Sequence, residues 1–165
     1  MPLNLELKIK VPSHRAFENI MAKIRAEDKG ILKQKDVYYR INKGLLKLRV
    51  ENGTYTLIKY LRDEKGKRWS NYELLRIDGK NPEKYLSGFL NIEATVEKRR
   101  KLYIYKNTRV HLDTVKGLGK FLELETLLLD DRKDAEKRFK EIVGILNLDL
   151  TKQIRKSYKN LLIGK

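Results

Sequence analysis

From Leu3 to Val11 the chain alternates apolar and polar residues without a break, Leu-Asn-Leu-Glu-Leu-Lys-Ile-Lys-Val. A period of two is the period of a strand, so the leucines, Ile9 and Val11 take one face while Asn4, Glu6, Lys8 and Lys10 take the other. The pattern recurs. Lys47 and Arg49 alternate with Leu46, Leu48 and Val50, and Lys98 and Arg100 share a parity. Arg109, His111 and Asp113 alternate with Val110 and Leu112, and Glu123 and Glu125 alternate with Leu122 and Leu124. One strand of this kind is the solvated face of an antiparallel sheet. Many together, with both signs of charge collected on one parity, imply a charged interior if apolar helices cover the other face.

The chain supplies such helices. Ser13 reads as the cap of a helix with Ala16, Phe17, Ile20, Met21 and Ile24 on one side and Gly30 after its end. Asn81-Pro82 opens a short helix through Leu90, with Leu86, Phe89 and Leu90 as its buried positions. A third helix near Asp131 aligns Ala135, Phe139, Ile142, Val143 and Leu146; a fourth, near Thr151, aligns Ile154, Tyr158, Leu161 and Leu162 and ends at Gly164. Between them read further strands: 35–41, 45–50, 54–61, 69–77, 94–105, 108–115 and 121–129. Asn42-Lys43-Gly44 and Glu51-Asn52-Gly53 mark two successive hairpins, and Lys116-Gly117-Leu118-Gly119 marks a later turn. The expectation is an α+β fold: a closed antiparallel barrel of about eight strands with helices packed on its outside.

A chain of 165 residues without repeats or a Gly/Ser/Pro linker reads as one domain, 1–165. Lys and Arg number 38 against 22 Asp and Glu, a formal charge of +16, so the partner expected is an anion. The absence of cysteine excludes disulfides and thiolate metal sites. No apolar run is long enough to span a bilayer, which makes a cytoplasmic location the expectation.

Carboxylates gathered on neighbouring strands repel one another and favour a hard divalent cation with oxygen ligands. Glu6, Glu123 and Glu125 are the natural set. Cations on the same parity would then grip an anion beside the metal. His111 shares that parity, although a lone histidine is more often a hydrogen-bonded structural residue than a ligand.

Asn4-x-Glu6-x-Lys8 resembles the Glu-x-Glu-x-Lys signature of the CYTH domains, or triphosphate tunnel metalloenzymes, which include class IV adenylate cyclases and thiamine and inorganic triphosphatases. Gln34-x-Asp36-x-Tyr38-Tyr39, Lys47-x-Arg49, Thr56-x-x-Lys59, Ser70-x-Tyr72, Lys98-x-Arg100, Asp113 and Gly117-Leu118-Gly119-x-Phe121-x-Glu123-x-Glu125 follow in the family's order. The resemblance implies an eight-stranded tunnel that binds a triphosphate with magnesium or manganese. By position, Glu6, Glu123 and Glu125 would hold the metal, with Asp113 a ligand or organiser. Lys8, Lys47, Arg49, Lys59, Lys98 and Arg100 would hold phosphate oxygens, and Lys8, Lys98, Arg100 and Asp113 would form the catalytic set. Arg62, Arg68 and Lys120 are secondary candidates. The substrate classes implied are ATP, tripolyphosphate and thiamine triphosphate, with conversion of ATP to cyclic AMP and pyrophosphate expected first and triphosphate hydrolysis second.

Two departures stand out. Asn4 replaces the first Glu of the signature and removes a carboxylate, and Lys47 stands where the family usually has Arg. The rival class is a non-catalytic binding module for RNA or polyphosphate. It draws on the basic segments and nearby tyrosines, but it has no use for four carboxylates on the polar parity.

Overall fold

The computed structural model describes residues 3–62 and 69–164, with the side chain of Arg62 also outside the described set. Eight strands form a closed barrel: β1 (Leu3–Lys10), β2 (Glu27–Tyr39), β3 (Leu45–Glu51), β4 (Thr54–Arg62), β5 (Trp69–Ile77), β6 (Ile92–Tyr105), β7 (Thr108–Val115) and β8 (Gly119–Leu127). The order around the barrel is β1-β5-β4-β3-β2-β6-β7-β8, and every neighbouring pair is antiparallel.

The turns explain part of this order. Asn52 and Gly53 both have positive φ, 50° and 73°, the conformation whose twist matches a tight hairpin between β3 and β4. Gly44, before β3, has φ 79°, and a Cβ there would meet the Tyr60 carbonyl oxygen at 2.6 Å. Only glycine fits that position. β2 begins well before the expected Lys35, and Gly30 lies inside it, at the register shift between Asp28 and Ile31, instead of capping a helix. The Asp28–Gly30 run is a β-bulge, which a search for turn residues reads as a loop.

The apolar parity of β1, β7 and β8 faces outward under α1 (Arg15–Lys23) and α3 (Arg132–Ile145). Leu5, Leu7, Ile9, Val110, Leu112, Leu122 and Leu124 pack there with Met21, Phe139, Ile142 and Leu146. Each fully buried Leu or Ile stabilises the fold by about 1.5–3 kcal/mol relative to exposure. His14, not Ser13, holds the N-cap position of α1, and Arg25 at φ 57° turns the chain out of that helix. α2 (Pro82–Ser87) starts as expected, with Asn81 accepting the Lys84 amide, and Leu86 packs against Val37, Tyr39 and Leu48. Phe89 is exposed, contrary to expectation.

The C-terminal segment departs most from the sequence reading. The single helix expected from Thr151 is a 3₁₀ turn at Leu150–Lys152 followed by α4 (Tyr158–Ile163), with an extended stretch between. The Ile154 amide donates to the Lys8 carbonyl at 2.8 Å, fixing that stretch against β1. Tyr158, Leu161 and Leu162 then pack on Tyr38, Val96, Val115 and Phe121. Three helices cover the outside, whereas α4 closes one end of the barrel. No helix among the described residues is long and apolar enough to cross a membrane.

Candidate active site: a two-walled tunnel

A cavity of about 490 Å³ lies within the barrel and is lined by the polar parity of its strands. Cations predominate on one side of it and carboxylates on the other, and the two sides touch where Arg100 Nη2 lies 3.6 Å from Glu123 Oε2. β3, β2 and β6 are contiguous and bring Lys47, Arg49, Lys98 and Arg100 to one wall. β8 and β1 are contiguous and bring Glu123, Glu125, Glu6 and Lys8 to the opposing wall, with β7 between them contributing His111.

The cationic wall is organised by a residue to which sequence reasoning gave no role. Asp36 is fully buried, and its Oδ2 receives Lys98 Nζ at 2.7 Å, Lys47 Nζ at 3.0 Å and Arg49 Nη2 at 2.8 Å. Its Oδ1 receives Arg49 Nε at 2.8 Å. Burial alone would raise this carboxyl, but Arg49, Lys47 and Lys98 hold it well below the ordinary value. One carboxylate thus orients three cations and leaves a surplus of positive charge for a ligand. Burial pushes the Lys47 ammonium down to about 7 despite the opposing pull of Asp36. The signal for Asp36 was its parity, inward with Gln34 and Tyr38.

Asp113 is likewise engaged within the protein. Its Oδ1 and Oδ2 receive Arg100 Nε and Nη2, both at 2.7 Å, and Oδ2 also receives the Tyr158 hydroxyl at 2.8 Å. Both oxygens of this carboxylate, expected as ligand or organiser, are thus engaged by Arg100 and Tyr158. Tyr158 was read only as the apolar face of a helix. Its ring also lies 4.3 Å below Lys8 Nζ, which donates to the Lys156 carbonyl at 2.7 Å.

The acidic wall brings the remaining carboxylates together. Glu6 and Glu125 are register partners, as are Lys8 and Glu123. Around Glu123, burial would raise the carboxyl, but His111, Lys8 and Arg100 hold it well below its ordinary value. His111, Glu123 and Glu125 each offer a ligand atom, and these atoms lie within 4.8 Å of one another. The donor set fits a divalent cation, and two buried polar atoms lining the cavity, Asn4 Oδ1 and His111 Nδ1, have no hydrogen-bond partner among the described residues.

Two expectations need correction. Lys59 does not reach the cavity: it is exposed, on the parity opposite Thr56, Ile58 and Tyr60, which face the lumen. Lys120 is also exposed. Arg68 and the side chain of Arg62 lie outside the described residues. Lys8, Lys47, Arg49, Lys98 and Arg100, by contrast, are all brought to the lumen.

A closed antiparallel barrel whose lumen gathers cations and carboxylates is a fold of the tunnel type. The CYTH domain signature matches residues 2–158, and the chain belongs to the CYTH domain family. A Methanocaldococcus jannaschii protein named "Putative adenylate cyclase" is 25% identical over 96% of this chain and 98% of its own length. Among solved structures, the Pyrococcus horikoshii protein PH1012 superposes with a TM-score of 0.84 at 20% identity, covering 96% of this chain and 99% of its own. A Vibrio parahaemolyticus protein, likewise named for adenylate cyclase, gives 0.78 at 22% identity over 98% of both chains. A Hippeastrum protein with that kind of name and a dominant triphosphatase activity gives 0.69 at 11% identity, covering 99% of this chain and 96% of its own.

Proposed function

We propose that this protein is a divalent-metal-dependent enzyme that binds a nucleoside triphosphate in its tunnel and converts ATP to cyclic AMP and pyrophosphate. The observation behind this reading is the gathering of Lys47, Arg49, Lys98 and Arg100 with Glu6, Glu123 and Glu125 in one lumen. Lys47, Arg49, Lys98 and Arg100 supply donors for phosphate oxygens, with the arginine forks suited to bidentate contacts. Glu6, Glu123 and Glu125 have no use for a phosphate unless a cation stands between them. A divalent ion held there would neutralise phosphate charge and act as a Lewis acid.

The chain's own residues do the rest. Asp36 and Asp113 pre-orient the cations, so little reorganisation is needed as charge builds on the leaving group. Ile58, Leu74, Leu102 and Ile104 line another part of the lumen, giving apolar surface for a nucleoside that inorganic triphosphate would not need. In the cyclisation, the ribose 3′-oxygen bonds to the α-phosphorus as the bond to the bridging oxygen breaks. The hydroxyl proton leaves to solvent, and pyrophosphate departs held by the cationic wall.

A second reading is triphosphate hydrolysis, with water attacking the terminal phosphorus. It is favoured by the Hippeastrum protein, which combines the same fold with a dominant triphosphatase activity. Incubation with ATP and, separately, with tripolyphosphate, each with magnesium and with manganese, followed by separation of cyclic AMP, pyrophosphate and phosphate, decides between them. Cyclic AMP with pyrophosphate from ATP supports cyclisation; phosphate without cyclic AMP from ATP, and phosphate with pyrophosphate from tripolyphosphate, supports hydrolysis. The absence of all products overturns the enzyme reading in favour of a binding module.

A further inference from the structure

His111 is one of two histidines in the chain, and it stands inside the acidic wall. It is 3% exposed. Its register partner across β7 and β8 is Glu123. Nδ1 lies 3.7 Å from Glu123 Oε2 and 3.9 Å from Glu125 Oε1, too far for hydrogen bonds, and it has no hydrogen-bond partner among the described residues. A buried ring nitrogen left this way calls for an explanation. Donors arranged around one ion at ~2.1 Å stand roughly 3–4 Å apart, the spacing of His111 Nδ1 from each of the two carboxylates.

We propose that His111 Nδ1 is a direct metal ligand, and that with Glu123 and Glu125 it forms a nitrogen-and-oxygen site selecting a first-row transition ion over magnesium. The proposal rests on the preceding reading only in taking the acidic wall as a metal site. Magnesium is a hard ion that demands oxygen ligands in near-ideal octahedral geometry. Imidazole suits the transition ions, whose affinities for mixed sites rise from manganese towards copper. Asn4 acts in the same direction. A neutral amide oxygen where the signature has a carboxylate removes hard negative charge, and His111 adds a softer neutral donor. Both features weaken magnesium relative to its competitors.

Cobalt is the probe, because it reports its ligands. The metal-free full-length chain is titrated with Co²⁺ and, separately, with Mg²⁺ by calorimetry, and the Co²⁺ form is examined by proton NMR. The bound form should show one strongly shifted, exchangeable imidazole N–H resonance. That resonance should persist in His14→Gln and vanish in His111→Gln. Co²⁺ affinity should fall about tenfold or more in His111→Gln, while Mg²⁺ affinity falls by a clearly smaller factor. The proposal is overturned if wild-type protein shows no such resonance, if the resonance survives His111→Gln, or if the two ions lose affinity equally. The wild-type spectrum keeps the test decisive even if His111→Gln folds poorly. Tripolyphosphate binding, measured on the same metal-free protein and compared with Arg49→Ala, tests the tunnel reading separately, since Arg49 makes its contacts to Asp36 and not to the metal-site carboxylates.

Discussion

Asp113 receives both arms of the Arg100 guanidinium at 2.7 Å inside a fully buried pair. Removing the carboxylate would leave Arg100 only the longer 3.6 Å contact to Glu123 in the barrel interior, where a broken buried ion pair costs about 3–5 kcal/mol. Asp113→Ala is therefore expected to lower the unfolding free energy by that order, read as a shift in the urea midpoint. A midpoint within error of wild type would show that Arg100 is solvated in the lumen.

Lys47 gives the site a pH dependence. Its folded value of about 7 lies below the unfolded value of 10.5, so the folded state releases this proton first. Its contribution to stability therefore rises as pH climbs between those values, while its contribution to anion binding falls. Tripolyphosphate affinity should weaken from about pH 6 to about pH 8, and Lys47→Arg should flatten that part of the profile because guanidinium keeps its charge. Identical calorimetric profiles for the two proteins would exclude Lys47 as the titrating group.

Arg49 and Lys59 should part company. Arg49 lies in the lumen and Lys59 lies outside it, so Arg49→Ala should cost tripolyphosphate about 1.5–3 kcal/mol of binding free energy. Lys59→Ala should cost almost nothing. Equal losses measured by calorimetry would contradict the assigned strand parity.

Asn4 is buried, lines the cavity and has an unpartnered Oδ1. Asn4→Glu restores the signature carboxylate and should tighten magnesium binding. An unchanged magnesium titration would remove position 4 from the metal site.

Much of this was legible because a closed barrel converts sequence parity directly into inside and outside. Lys47, Arg49, Lys98, Arg100, Glu123 and Glu125 were all found by counting in twos, and the structure turns each inward. Lys59 failed for the same reason. Thr56 and Lys59 are three apart, so in one strand they face opposite sides, and a motif spanning them cannot place both in the lumen. Asp36 was quoted without a role because its importance lies in three cations from other positions that converge on it only after closure. Tyr158 was hidden by a helical apolar pattern that does not distinguish a helix lying on a barrel from one capping its end. Gly30 was read as a helix stop because a bulge and a turn use the same residues.

The acidic wall joins β1 to β8, so it is also the seam where the first strand meets the last. Glu6 can face Glu125 only once β8 has been made and has paired with β1, and their like charges oppose that pairing. A growing chain therefore has no metal site until nearly all of it exists. Any cation taken up at the finished seam acts as a clasp: it favours the closed ring over forms in which the terminal strands have parted, and it ties loading of the site to completion of the fold.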